Sequence, residues 1–113
     1  MSDDCLFCRI VRKEIPATIV RDDEHTLAFR DVAPKAPTHV LVIPKTHVAS
    51  LNEATDPVLL GRLMLAARDV AALEGISTSG YRVVMNTGVE AGQTVHHVHL
   101  HLLGGRHLAW PPG

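Results

Sequence analysis

Three histidines, His97, His99 and His101, stand at alternate positions late in the chain. The surrounding stretch, Gly92 to Gly105, holds four of the eight histidines. Read as a strand, it turns His97, His99, His101 and Leu103 to one face and His96, Val98, Leu100 and Leu102 to the other. The second set is mostly apolar and suits a core. The first lines up three imidazoles. At ~3.3 Å per residue, adjacent rings start about 6.6 Å apart and the outer two about 13 Å. Imidazole titrates near neutral pH, acts as a nucleophile or a general acid/base, and ligates metals. Zn–N bonds are about 2 Å, so the whole row cannot share one ion, although two neighbours could. Chance polar positions on a half-exposed strand do not account for strict alternation beside a Gly92-Gln93-Thr94 turn.

A second candidate is Cys5 with Cys8, the only cysteines, spaced C-x-x-C. A structural disulfide does not suit a reducing cytosol. Redox chemistry, a metal, or two buried thiols remain. No βαβ setting of the thioredoxin kind surrounds them.

These residues need elements to hold them. The chain has 113 residues, the size of one domain. Apolar residues make up 46% and charged residues 20%, as in an ordinary globular protein. A net charge of −1 argues against sequence-independent nucleic-acid binding. Aromatics at 4% leave few platforms for stacking bases of a single strand. No apolar run approaches the roughly 20 residues of a membrane span. The acidic opening residues lack a basic and then apolar leader, so a cytoplasmic location is expected.

Residues 4–13 suit a short helix with Leu6, Phe7, Ile10 and Val11 as its apolar stripe. Strands are expected at 18–21, 26–31, 39–44 and 81–86, the third a continuous apolar run closed by Pro44. Thr55-Asp56-Pro57 opens a helix over about 57–74, which Gly75 ends. Leu59, Leu60, Leu63, Ala67, Val70 and Ala71 form its buried stripe, and its alanines let it lie flat on a sheet. One long helix among about five strands joined by short turns predicts an α+β domain with an antiparallel sheet. Leu108 and Trp110 before two prolines suggest an ordered arm docked on an apolar surface, a second copy of the chain being the economical choice.

Taken together these residues resemble a known family. His97-Val98-His99-Leu100-His101-Leu102-Leu103 resembles the alternating histidine signature of the histidine triad (HIT) superfamily. Gly92-Gln93-Thr94, Gly104-Gly105-Arg106 and the Trp110-Pro111-Pro112-Gly113 tail resemble its nucleotide-binding HINT branch. So do Ala28 to Asp31, and Ala36 to His39 with Val42 to Lys45. The similarity spans nearly the whole chain.

The resemblance implies a homodimer whose sheets join edge to edge, each subunit binding a purine nucleoside monophosphate. It implies hydrolysis of AMP- or GMP-amine phosphoramidates through a covalent nucleotidyl-histidine. By resemblance His99 is the nucleophile, His101 donates to a phosphate oxygen, and His39 holds the nucleophile's tautomer and orientation. Thr94 helps protonate the leaving amine, and stands where serine is usual. Gly92, Gln93, Thr94 and Val95 supply backbone N–H donors to phosphate. Asp31 accepts from the ribose diol, Phe29 and Val32 enclose the base, and Asn86 lies near ribose and phosphate. Cys5, Cys8, His47 and His97 match a structural zinc site of some bacterial members, a Cys₂His₂ set suited to tetrahedral zinc. If His97 is a ligand it takes no part in proton transfer. His96 belongs to the opposite strand face and is expected to pack there or at the dimer interface; His25 and His107 are expected in solvent. Three other activities fit parts of this pattern: dinucleoside polyphosphate hydrolysis, a nucleotide-binding adaptor with incidental hydrolysis, and a metal hydrolase built on His99 and His101.

Overall fold

A computed structural model describes residues 4–113; the first three residues of the acidic opening lie outside it. Five strands form one antiparallel sheet. They are β1 (Ile19–Asp22), β2 (Thr26–Arg30), β3 (Thr38–Pro44), β4 (Tyr81–Val84) and β5 (Leu100–Gly104). Their order across the sheet is β1-β2-β3-β5-β4. The crossover that matters places β5 between β3 and β4. In that register Leu41 faces His101, His39 faces Leu103, and Val84 flanks His101 on the other side.

The long helix α2 (Pro57–Leu73) starts where proline suits the first turn, and the Asp56 carboxylate accepts from the Val58 N–H at 2.9 Å. Gly75, at φ +75°, takes the left-handed position just past its end. Its stripe of Leu63, Ala66, Ala67, Val70 and Ala71 packs on Ala28, Val40, Val42, Leu100 and Leu102, one face of the sheet. The apolar half of the histidine segment is therefore buried under α2. The opposite face carries Leu27, Phe29, Leu41 and Ile43, covered by Phe7 and Ile10 of the short helix α1 (Leu6–Val11). Cys5 caps α1, its sulfur 3.4 Å from the Cys8 N–H.

The α+β antiparallel architecture is as the sequence pattern predicts. The first helix is shorter than expected, Leu6–Val11 within 4–13, and β4 stops at Val84 before Asn86; one further boundary matters for the site. Strand pairing begins at Leu100, so His97 and His99 precede β5 on an irregular segment. There the chain leaves the sheet to reach a metal-type cluster, and the backbone cannot serve both. Trp110 is 79% exposed. The tail is nonetheless tied to β4: Arg82 lies 5.7 Å from the Trp110 ring centre and donates to the Ala109 carbonyl at 3.0 Å. No helix among the described residues is long and apolar enough to cross a membrane.

Candidate active site

The histidine row runs across the α1 face of the sheet, and each ring is fixed by a different partner: a backbone carbonyl for His97 and for His99, a side chain for His101. His99 is 6% exposed, and its Nδ1 lies 2.7 Å from the His97 carbonyl. A carbonyl only accepts, so Nδ1 carries the proton and the Nε2 lone pair is left for chemistry. An imidazole so held is an oriented nucleophile.

His101 is fixed through His39. The Lys35 N–H donates to His39 Nδ1 at 3.0 Å, which puts the His39 proton on Nε2. That Nε2 lies 2.9 Å from His101 Nδ1 and donates to it. The remaining His101 proton is then on its Nε2, facing outward from the pair. Burial pushes His101 down to about 4, with His99 and His39 adding to the shift. Burial also lowers His39, and the Asp31 carboxylate opposes that only in part. Both rings are neutral at pH 7, so the chain of donors carries no net charge.

This geometry moves one expected contact. His39 is bonded to His101, and the nucleophile's tautomer is set by the His97 carbonyl instead. Asp31, His39 and His101 also bring three potential ligand atoms within 4.8 Å of one another. The hydrogen bonds oppose a metal there. As long as His39 Nδ1 accepts from Lys35, its Nε2 has no lone pair to give.

At the other end of the row the donor directions are reversed. His97 is fully buried and its Nε2 donates to the Pro44 carbonyl at 2.8 Å. Its Nδ1 lone pair faces His47 Nδ1 at 3.2 Å, Cys5 Sγ at 3.4 Å and Cys8 Sγ at 3.6 Å. Cys8 Sγ lies 3.3 Å from His47 Nδ1. Tetrahedral zinc, with bonds of about 2.0 Å to nitrogen and 2.3 Å to sulfur, separates a nitrogen pair by roughly 3.3 Å and a sulfur–nitrogen pair by roughly 3.5 Å. Cys5, Cys8, His47 and His97 therefore fit the ion in donor type, direction and spacing. Burial pushes His97 down to about 4, keeping it neutral as a ligand must be. Burial, with Cys5 beside it, pushes the Cys8 thiol up to about 11, a direction that a coordinated dication reverses.

A cavity of about 560 Å³ opens on the same face. Leu6, Phe7, Ile10, Phe29 and Leu41 make its apolar wall, and Asp31 contributes a carboxylate. The size suits a drug-sized or nucleoside-sized ligand. The Phe7 ring joins this wall to the row, standing edge-on to His99 at 5.1 Å between centroids. Asp31 Oδ1 accepts from the Ala33 N–H at 2.8 Å, and Oδ2 lies 3.4 Å from His39 Nε2, which leaves lone pairs on both oxygens for a ligand. Phe29 is buried in the wall, whereas Val32 is fully exposed at the rim. Asn86 is half-buried just beyond β4.

The glycine turn differs from expectation in detail. The Gly92 N–H donates to Val89 and the Gln93 N–H to Gly88, both at 3.1 Å, so neither is free for a phosphate. The Gln93 side chain is a brace: it accepts from the Gly88 N–H at 3.0 Å and donates to the Ala49 carbonyl at 2.8 Å. Of the four expected donors, Thr94 and Val95 keep unspent N–H groups among the described residues. Thr94 is exposed and lines a second cavity of about 450 Å³ with Cys5, His47, Val95 and His96. His96 is likewise exposed and does not pack with Val98 and Leu100, because the segment is not yet in the sheet. His25 and His107 are in solvent. The site residues not foreseen are Phe7, which read only as part of the apolar stripe of the short helix, and the backbone of Lys35 and Pro44, which leave no signal at all.

Comparison with known proteins agrees with this construction. The HIT domain model matches residues 12–108. An uncharacterized HIT-like protein of Synechococcus elongatus is 60% identical over the whole of both chains. A HIT family hydrolase from Legionella pneumophila superposes with a TM-score of 0.95 at 52% identity, covering 97% of this chain and all of that one. A histidine triad nucleotide-binding protein from Candida albicans gives 0.84 at 32% identity, covering 96% of this chain and 83% of its own. Triad, fold and sequence agree, and the chain belongs to the HIT family.

Proposed function

We propose that the protein is a nucleotide hydrolase of the HINT type. In this reading it is a purine nucleoside phosphoramidase that cleaves AMP- or GMP-amine adducts through a nucleotidyl-histidine and works as a homodimer. The observation that carries the reading is the His99 tautomer. Its Nδ1–H is held by the His97 carbonyl at 2.7 Å, which presents Nε2 as an attacking lone pair beside the cavity wall. The relatives described as a hydrolase and as nucleotide-binding point the same way.

His99 Nε2 bonds to the α-phosphorus as the P–N bond to the amine breaks, and the bond pair leaves with the amine nitrogen, which takes up a proton. In this reading the Thr94 hydroxyl assists that proton transfer. His101 donates through Nε2–H to a phosphate oxygen, and the Thr94 and Val95 N–H groups share the developing charge. Water then attacks phosphorus as the P–Nε2 bond breaks and its pair returns to the ring, and the proton that water sheds replaces the one the amine took. Asp31 takes the ribose hydroxyls. Phe29 and Val32 border the purine, and Asn86 lies toward ribose and phosphate. Cys5, Cys8, His47 and His97 hold a structural zinc, which braces the site and takes no chemical step.

The test is a rapid quench into alkaline denaturant, where the P–N bond of a nucleotidyl-histidine survives, of the wild-type protein with an AMP-amine radiolabelled in its AMP moiety. Label should be recovered on His99 and be absent from His99→Ala. Turnover without any label on His99 sinks the mechanism.

A further inference from the structure

Phe7 meets two members of the histidine row and lines the cavity beside them. Its ring stands edge-on to His99 at 5.1 Å, to His97 at 5.9 Å and to Phe29 at 5.5 Å, and it lines the 560 Å³ cavity. It is 4% exposed. The helix that carries it has six residues, too few to hold its own shape in water. Two of the residues that flank Phe7 in sequence order, Cys5 and Cys8, belong to the Cys₂His₂ cluster. The other two cluster members come from the segment after β3 and from the histidine row. An ion at that cluster would thus pin α1 at both sides of Phe7 to the residue whose carbonyl fixes His99.

We infer that Phe7 is a positioning residue for the nucleophile, and that the metal cluster holds it there. His99 has one hydrogen bond to set its ring, the bond to the His97 carbonyl. A single bond permits the ring to swing about its axis. The His101 ring, 5.0 Å away between centroids, stands on one side, and the Phe7 ring, at 87° to the imidazole in the T-shaped arrangement that aromatic pairs favour, supplies the further restraint. Metal loading therefore sets the angle of the attacking nitrogen and not only the stability of the fold. The inference rests on His99 being the nucleophile, but its main readout needs no turnover.

Full-length protein labelled with ¹⁵N-histidine provides the test. The Nδ1–H signal of His99, assigned by its loss in His99→Gln, should be a sharp, slowly exchanging imidazole resonance in the zinc-loaded wild type. Phe7→Leu keeps an apolar wall and removes the ring edge. It should shift and broaden that signal and lower kcat by about threefold to tenfold, the range of one aromatic pair. Ile10→Ala, which lines the same cavity without touching His99, should raise KM and leave the His99 signal in place. Stripping zinc from the wild type should broaden the His99 signal while the β3 and β5 amides stay where they were. The inference is overturned if the signal is unchanged in both Phe7→Leu and the metal-free protein. It is overturned equally if either treatment abolishes the sheet amides, since Phe7 or the ion would then be supporting the whole fold. Failure of the labelled-phosphoramidate experiment with these spectral changes intact would reject the activity and keep the positioning role.

Discussion

Replacing His39 by leucine and, separately, by glutamine asks what the ring does. His39 accepts the Lys35 N–H at 3.0 Å through Nδ1 and donates from Nε2 to His101 at 2.9 Å. A glutamine amide carries one acceptor and one donor at a similar separation, so it can copy both bonds; leucine can copy neither. Each bond contributes about 1 kcal/mol net, and a buried group left without its partner costs about 1–3 kcal/mol. His39→Leu should therefore cost about 2–4 kcal/mol of stability and His39→Gln about 1 kcal/mol or less. The kinetic effect follows from His101. Without its donor, His101 Nδ1 can take the proton itself, and Nε2–H is no longer presented to a phosphate oxygen. Losing one oriented donor worth about 1.4 kcal/mol in the transition state lowers kcat about tenfold. Urea unfolding gives the first quantity, and steady-state rates on an AMP-amine give the second. Equal loss of kcat in the leucine and glutamine variants would refute the argument, since the ring would then matter for its shape and not for its proton.

Three further outcomes are expected. Elemental analysis should find one zinc per chain, and Cys8→Ser should lose it and lower Tm by roughly 10 °C or more; a zinc-free protein with unchanged Tm in Cys8→Ser would exclude the cluster as a metal centre. In the metal-free protein, stability should be full above the unfolded histidine pKa of about 6.5 and should fall as pH drops toward 4. His97 and His101 stay neutral down to about 4 when folded, so the unfolded chain binds more protons across that window; identical urea midpoints at pH 7 and pH 5 would contradict it. Gly104→Ala should cost about 1–3 kcal/mol, because an added Cβ meets Ile76 Cδ1 at 2.6 Å. Ile76→Val removes that methyl, so the double variant should recover most of the loss in a thermal melt, and strict additivity would refute the clash.

Much of the scaffold is legible in the residues. The Leu59 to Ala71 stripe, the Val40 to Ile43 run and the alternation around His101 each carry a period that only one element satisfies. The site is legible in part. His99 and the Cys₂His₂ set stand out by residue type. What joins them does not. His39 meets His101 across 62 positions, a pairing that depends on β5 lying beside β3 and not beside its chain neighbour alone. The groups that choose each tautomer are carbonyls of His97 and Pro44 and an amide of Lys35, and every residue has those. The same limit explains Gln93. Its turn suggested a backbone N–H for phosphate, whereas that N–H is spent on the Gly88 carbonyl and the side-chain amide on Gly88 and Ala49. The early end of β5 was hidden because an extended irregular segment alternates like a strand.

The placement of β5 has a consequence for how the site breathes. His101 sits on a strand ladder with neighbours on both flanks, Leu41 on one side and Val84 on the other. Its amide can exchange with deuterium only when the whole sheet opens. Four residues earlier the backbone has left the ladder, and the brace at Gln93 is held by single bonds that fray one at a time. Deuterium uptake should therefore rise steeply from His101 back to Thr94, seven residues earlier. One end of this segment is as stiff as the sheet that holds it. The other can yield without the sheet opening.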